Sequence, residues 1–383
     1  MIYWDHNATT PCAPEVVKVM QPFLSEEFGN PASSHLAGRK AARALSTARS
    51  QVASLAKCRP GEIVFTAGAT ESNNLVFLGL LLSDRSDKRR VVTTAIEHKS
   101  VIDPAAFLSE KGFDVVYLPV TREGVVDLAA ARELISPDTA LVSVQAANNE
   151  IGTLQPIEEI ARMAHKEGAF FHTDAVQVLG KIPVDLEAWG CDFASFSAHK
   201  LYGPKGVGAL FVSGGPRRWP WPHPFRGGGQ EGGLRPGTSN VPAIVGFGEA
   251  CRLAEEKLPG EMSRVYQLRA AFEEKILAQI PNCVVHAQKA PRLPGTISVA
   301  FKGVPADMLI DNLVEVCVGK GSACTTGAIG ASHVLISIGC ETNVADATIR
   351  LSLGRDSTNE QIDETMDKIL TSVSFIRDKL EGW

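Results

Sequence analysis

The segment SFSAHKLYGPKGVG, Ser195 to Gly208, runs a β-prone stretch into Ser-x-His-Lys and then a glycine-rich turn. Lysine is seldom buried without a partner. At the end of a strand, in the crevice where open α/β sheets take ligands, Lys200 would be placed for covalent chemistry on a carbonyl; read alone, it is as well a surface lysine before a turn. FHTDAVQ closes another strand on Asp174, with Gln177 three residues on. A carboxylate there can pair with a pyridinium nitrogen and keep the ring an electron sink, or it can cap a helix. TAGATESNN, Thr66 to Asn74, joins a strand to a helix start through small residues. Free N–H groups at that start, with the Thr70 hydroxyl beside them, would cradle a phosphate, a plain helix cap being the alternative.

AIEHKS sets His98 after a further strand, and AANNEIG sets Asn149 after another. An imidazole can stack on an aromatic ring or move protons, and an amide can hold a phenolic or carboxylate oxygen; each residue by itself could equally be a satisfied buried polar group. Together, a phosphate cradle, a stacking ring, an acid, an amide and a lysine at successive strand ends point to pyridoxal phosphate. GKGSACTTG adds Cys324 among small and hydroxyl residues, with no bulky neighbour to bury it. The flanking glycines permit a mobile backbone, and Lys320 could favour the thiolate.

The elements that must position these groups are legible as runs. EIVFT, RVVTTAI, DVVYL, TALVSVQ, AFFHTD, CDFASFS and VGALFV alternate with helix-length segments between Gly61 and Val212. Near-continuous apolar strands of this kind predict a mostly parallel or mixed sheet covered on both faces, an α/β domain. Ahead of it, Ala41, Leu45, Ala48, Val52 and Leu55 recur at helical spacing. After it, PRRWPWPHPFRGGGQEGGLRPGTSN reads as a linker or a site loop. Two helical patterns beyond Val241, the strand TISVAF, a helix near Asp307 to Val314, a short strand at Val316 to Val318, TIRLSL and a final helix from about Asn359 predict a smaller α+β domain. The expected division is a large cofactor domain over 13–250 and a small domain over 1–12 and 251–383.

A net charge of -5 without long single-sign runs argues against a nucleic-acid or anionic-membrane surface. The longest apolar run, Leu75 to Leu82, is far short of the about 20 residues a membrane helix needs. MIYWDHNATTPCAP carries no export pattern, so a soluble, cytoplasmic protein is expected. The cysteines form no CxxC pair, and neither disulfide staples nor a metal site is expected; Cys283 and Cys317 read as small buried hydrophobes.

The ordered stretches DHNATTP, EFGNPASSH, GATESNN, TAIEHKSV, ANNEIGTLQPI, FHTDAVQ, SAHKLYGPKGVGAL, GGGQEGGLRPGTSNVPAIVG, GSACTTG, SHVL and TIRLSLGR cover nearly the whole chain. They resemble the cysteine desulfurases of the NifS/IscS-like group in the class V aminotransferase family. The resemblance implies the pyridoxal-phosphate-dependent transferase fold of type I and a homodimer. It implies that Lys200 carries the cofactor, Asp174 pairs with its ring nitrogen, Gln177 touches its phenolic oxygen and His98 stacks on the ring. Ala69, Thr70, Asn149, Ser197 and His199 would bind the cofactor with them, Thr238 being given to the partner's site; Asn149, again, and Arg350 would hold the substrate carboxylate. Substrate L-cysteine would lose its α-proton to Lys200 and its sulfur to the Cys324 thiolate, with His98 as proton shuttle. The products would be alanine and a persulfide on Cys324, passed to an iron-sulfur scaffold or a thiolation system for RNA or DNA.

Ala198 stands where such sequences commonly have glycine, Gly232 where they have arginine, and His6 where they have asparagine. The residues leave two other readings open: an aminotransferase or β-lyase, selenocysteine lyase included, whose activity survives loss of Cys324, and a sulfur-carrier scaffold that needs no turnover. Both Lys200 and Asp174 argue against the scaffold.

Overall fold

The computed structural model describes residues 1–83, 88–321 and 331–381. Within them the strands are β1 (Ile2–Tyr3), β2 (Ile63–Thr66), β3 (Arg90–Thr94), β4 (Asp114–Leu118), β5 (Thr139–Ser143), β6 (Phe170–Asp174), β7 (Phe193–Ser197), β8 (Gly208–Val212), β9 (Cys283–Val285), β10 (Thr296–Phe301), β11 (Val316–Cys317) and β12 (Thr348–Ser352). β2 to β8 form one seven-stranded sheet in the order β2-β8-β7-β6-β5-β3-β4. β8 runs antiparallel to both its neighbours and the other pairs are parallel, so β2 to β7 all point their carboxyl ends at one edge.

Alternation along the strands explains the two covered faces. Ile63, Phe65, Val142, Phe171, Ala194, Phe196, Ala209 and Phe211 point into one core with the helices Leu36–Leu55 and Ile157–Lys166. Val64, Leu141, Phe193, Leu210 and Val212 point into the other, beneath the helices Ala69–Leu81 and Lys99–Glu110. This is the α/β sheet that the apolar runs predict.

The Pro/Gly/Arg-rich connection docks on that second face. Trp219 and Trp221 are buried there, packed edge-on against each other; Trp219 also meets the Phe193 ring edge-on, and Trp221 meets it at a tilt. Gly79 makes room: a Cβ on it would lie 2.5 Å from the Trp219 ring. Further on, Glu231 receives both ends of the Arg49 guanidinium, 2.7 Å each, and the Phe65 N–H. Gly232 takes a φ of 66°, open to glycine at little strain, and a side chain there would meet Pro216. The backbone at this turn therefore suits the glycine and not an arginine.

β12, β10 and β9 form an antiparallel sheet, and β1 pairs with β11 in parallel. Their core gathers Trp4, Phe272, Ile297, Phe301, Ile349 and Leu351 with Ile362, Met366, Ile369, Val373 and Ile376 of the helix Asn359–Glu381, spaced four and three apart. The two helical patterns beyond Val241 are one helix, Val241–Gln279, which continues through Pro259 and Gly260. Its first half packs in the large-sheet core and its second half in the small-sheet core, and burial at both ends outweighs the hydrogen bond that proline removes.

Candidate active site

The carboxyl edge of the large sheet opens into a cavity of about 660 Å³ that meets the small sheet at Arg350. β2 enters it through Ala67 and Gly68 into the helix Ala69–Leu81. Gly68 adopts φ 156° and ψ 175°, a conformation essentially reserved for glycine. That turn leaves the first N–H groups of the helix, at Ala69 and Thr70, without an intrahelical acceptor, and both residues line the cavity. Across the turn, Ser197 Oγ lies 3.8 Å from where a Gly68 Cβ would sit. Gly208 permits this approach, because a Cβ on it would fall 2.3 Å from the Phe196 carbonyl oxygen and 2.7 Å from Gly68 Cα.

His98 follows β3 and caps the helix Lys99–Glu110. Its Nδ1 accepts from the Ser100 N–H at 3.1 Å and lies 2.8 Å from Ser100 Oγ. An accepting Nδ1 leaves the proton of the neutral ring on Nε2. Asn73 then donates one amide hydrogen to Ser100 Oγ and the other to Asp174 Oδ2, 2.8 Å each. Asp174 ends β6, is buried, and accepts the Val176 N–H at Oδ1. A continuous chain Asp174–Asn73–Ser100–His98 thus ties two cavity groups together.

β7 delivers Ser197, and the short turn Ala198–Lys200 delivers His199 and Lys200. The Ala198 methyl, fully buried, is accommodated opposite Gly203. Lys200 Nζ donates to the carbonyls of Asn7 and Ala8 at 2.7 and 2.6 Å. His199 Nδ1 lies 3.0 Å from Thr9 Oγ1. Desolvation, helped by Lys200, Lys205 and Lys181, pushes the His199 ring down to about 4, so it is neutral near pH 7.

Gln177 is buried against the same N-terminal segment, its Nε2 donating to the Asn7 carbonyl at 3.0 Å. Arg350, 2% exposed, donates to the Asn149 carbonyl at 3.1 Å and to Asp5 Oδ1 at 2.6 Å. Its Nε is buried without a partner, and the fork keeps hydrogens to offer a carboxylate entering the cavity.

One cavity therefore collects Ala69, Thr70, His98, Asn149, Asp174, Gln177, Ser197, His199, Lys200 and Arg350. Thr238 is exposed and does not line it. Cys324 lies outside the described residues; Gly321, three residues before it, lines the cavity, and a Cβ there would meet Glu150 at 2.4 Å. Among the described residues no cluster of side chains could hold a metal ion, and no helix is long and apolar enough to cross a membrane.

Several cavity contacts escape the sequence reading. Asn7 and Ala8, from DHNATT, lie over Lys200; Asn73 and Ser100 orient Asp174 and His98; Lys181 donates to Gln177 Oε1 at 2.7 Å. A polar run without apolar periodicity, as in DHNATT, was the available signal for the first pair. His333 lines the cavity as well, its Nε2 donating to the Glu97 carbonyl at 3.0 Å.

The donor set suits a phosphorylated pyridine aldehyde: N–H and hydroxyl donors at a helix start for the phosphate, a carboxylate for a ring nitrogen, an amide for a ring oxygen and an amine for the aldehyde.

Comparison with known proteins agrees. The model of the aminotransferase class-V family matches residues 2–365. A cysteine desulfurase of Rattus norvegicus is 42% identical over 389 aligned positions, covering 100% of this chain and 85% of that protein. Cysteine desulfurase IscS of Dictyoglomus turgidum is 39% identical, covering 98% of this chain and 95% of that protein. A solved NifS-like protein superposes with a TM-score of 0.90 at 38% identity, covering 98% of this chain and 99% of its own. With the cavity assembled as above, these matches establish that the chain belongs to the aminotransferase class-V family, in its NifS/IscS-like group of pyridoxal-phosphate-dependent cysteine desulfurases.

Proposed function

We propose that this cavity converts L-cysteine to L-alanine while Cys324 takes the sulfur. The thiolate of Cys324 attacks the substrate sulfur, the carbon–sulfur bond breaks, and an enzyme persulfide and alanine result; atoms balance without an external oxidant or reductant. Pyridoxal phosphate supplies the electron sink for the α-carbon. Lys200 would hold the cofactor and move the α-proton. Asp174 would keep the ring nitrogen protonated, Gln177 would donate to the phenolic oxygen, and His98 would stack on the ring and relay a proton near the substrate thiol. Ala69, Thr70, Ser197 and His199 hold the phosphate, and Arg350 with Asn149 takes the substrate carboxylate.

The observation that carries this reading is the convergence of Lys200, Asp174 and the helix start at Ala69 on one cavity, with the buried Arg350 fork opposite. Purified protein loaded with pyridoxal phosphate should release alanine from L-cysteine in the presence of a thiol. Cys324→Ser should abolish turnover, by more than about 100-fold, while keeping the cofactor's visible absorbance; undiminished alanine formation by that variant would overturn the assignment of Cys324.

The same reading assigns 13–250 to a cofactor domain and 1–12 with 251–383 to a small domain; the two larger sheets have separate cores, and Cys251, Leu253, Ala254 and Leu293 of the second stretch pack in the larger one. It takes the active form as a homodimer in which Thr238 serves the partner's site, supported by that residue's exposure outside its own cavity; sedimentation of the holoenzyme tests it. A cytoplasmic setting, with an iron-sulfur scaffold or thiolation protein as acceptor, is supported by the free thiols among the described residues, which suit a reducing compartment. Trapping the Cys324 persulfide with candidate acceptors identifies the recipient.

A further inference from the structure

Lys181 lies four residues beyond Gln177, and none of the chemistry above uses it. Its Nζ donates to Gln177 Oε1 at 2.7 Å and to Asn7 Oδ1 at 2.9 Å. Among the described residues no carboxylate pairs with it, and Lys200 and Arg350 are its charged neighbours. Desolvation first, then those two cations, pushes its amine well below the ordinary lysine range. Whether it carries two hydrogens or three, it donates to both amide oxygens.

That donation decides how two side chains face. A carboxamide is nearly symmetric in shape, and only its partners determine which end is oxygen. With Oε1 held by Lys181, Gln177 must turn its NH2 the other way, where Nε2 donates to the Asn7 carbonyl at 3.0 Å. The remaining hydrogen of that NH2 is the one Gln177 can offer to an oxygen in the cavity. Asn7 is oriented by the same cation: its Oδ1 faces Lys181, so its Nδ2 donates to Thr296 Oγ1 at 2.9 Å and to the Asn149 carbonyl at 3.2 Å. The Asn7 carbonyl in turn receives Lys200 at 2.7 Å, and the Asn149 carbonyl receives Arg350 at 3.1 Å. A single lysine behind the cavity wall thus sets the direction of groups that touch the amine, the amide and the guanidinium within it.

We infer that Lys181 is a positioning residue, which orients the Gln177 carboxamide and the Asn7 strap so that Gln177 presents an N–H to the cofactor. This rests on the reading of Gln177 and Lys200 as cofactor-contacting residues. A residue that merely fills space would act on stability alone. One that orients Gln177 must act on the bound cofactor and must do so in large part through Gln177.

The test is a double-mutant cycle on the holoenzyme, with Lys181→Met, Gln177→Leu and both together. The readouts are the dissociation constant for pyridoxal phosphate and the ratio of its near-ultraviolet to visible absorbance at fixed pH. Lys181→Met should weaken cofactor binding about tenfold, the worth of roughly one oriented hydrogen bond, and shift the absorbance ratio. In the Gln177→Leu background the same substitution should have a clearly smaller effect, no more than about threefold, what remains passing through Asn7 to Lys200. Equal effects of Lys181→Met in both backgrounds, or an unchanged cofactor in the single variant, overturn the inference. If methionine prevents folding, Lys181→Gln enters the cycle in its place under the same criteria. Wild-type protein that failed to bind pyridoxal phosphate or to form alanine would instead overturn the functional reading, so the two failures are distinguishable.

Discussion

Asp174 meets the cavity with both oxygens already committed, Oδ2 to Asn73 and Oδ1 to the Val176 N–H. Those contacts hold the carboxylate's direction; its charge is a separate property. Asp174→Asn keeps the size and removes the charge that would keep a pyridine nitrogen protonated. The expected outcome is a fall in kcat/KM for L-cysteine on the order of 10²- to 10³-fold, equivalent to about 3–4 kcal/mol of lost transition-state stabilisation. Steady-state alanine formation measures it, with the melting temperature as control. Asn73→Ala leaves the charge and loosens its direction, and should fall short of that effect, by about tenfold in rate. An Asn73 variant as impaired as Asp174→Asn would show that orientation, not charge, dominates at this position.

At the scale of elements, the cavity depends on how closely β8 can approach the turn between β2 and its helix. Gly208 opens β8 beneath Gly68, and a methyl there would fall 2.3 Å from the Phe196 carbonyl oxygen and 2.7 Å from Gly68 Cα, both backbone atoms that cannot swing aside. Gly208→Ala must therefore push the start of the helix Ala69–Leu81 away from Ser197. Cofactor affinity should drop by at least about tenfold, and stability by about 1–3 kcal/mol from overpacking. Titration with pyridoxal phosphate and urea denaturation of the same variant separate the two. Unchanged affinity in a destabilised variant would mean that the helix start does not hold the phosphate.

For the whole molecule, buried histidines set the response to acid. His172, fully buried between Ser143 and Ser195, is pushed down to about 3 by desolvation. His6, His199 and His286 are each pushed down to about 4, again by desolvation first. In the unfolded chain all four protonate near 6.5. The unfolded state thus takes up protons first, so their contribution is fully present above about pH 6.5 and is lost as pH falls toward 4. Glu97 works in the opposite sense: desolvation raises it to about 8, so its contribution is full below the ordinary carboxyl range and declines as pH rises to 8. With four groups against one, unfolding free energy should drop by at least about 2 kcal/mol between pH 7 and pH 5. Denaturant melts at the two values measure it, and His172→Gln, which keeps hydrogen-bonding capacity without titrating, should flatten the slope.

The local pattern of the chain was enough to determine the strands and the polar groups just past their ends. Apolar runs ending at Thr66, Thr94, Ser143, Asp174 and Ser197 gave the sheet, and because parallel strands end at one edge, Ala69, His98, Asn149, Asp174 and Lys200 could be expected together. Tertiary structure alone decided what holds those groups in place. Asn7 meets Asn149, Lys181 and Lys200, and Asp5 meets Arg350, across separations as wide as 345 residues, and no propensity or periodicity relates positions so far apart. The helix Val241–Gln279 makes the same point. Its Pro259 and Gly260 read locally as a break, and only the burial of its two halves in two different cores carries it through. Short-range residue types decide which groups are available; packing decides which way they face.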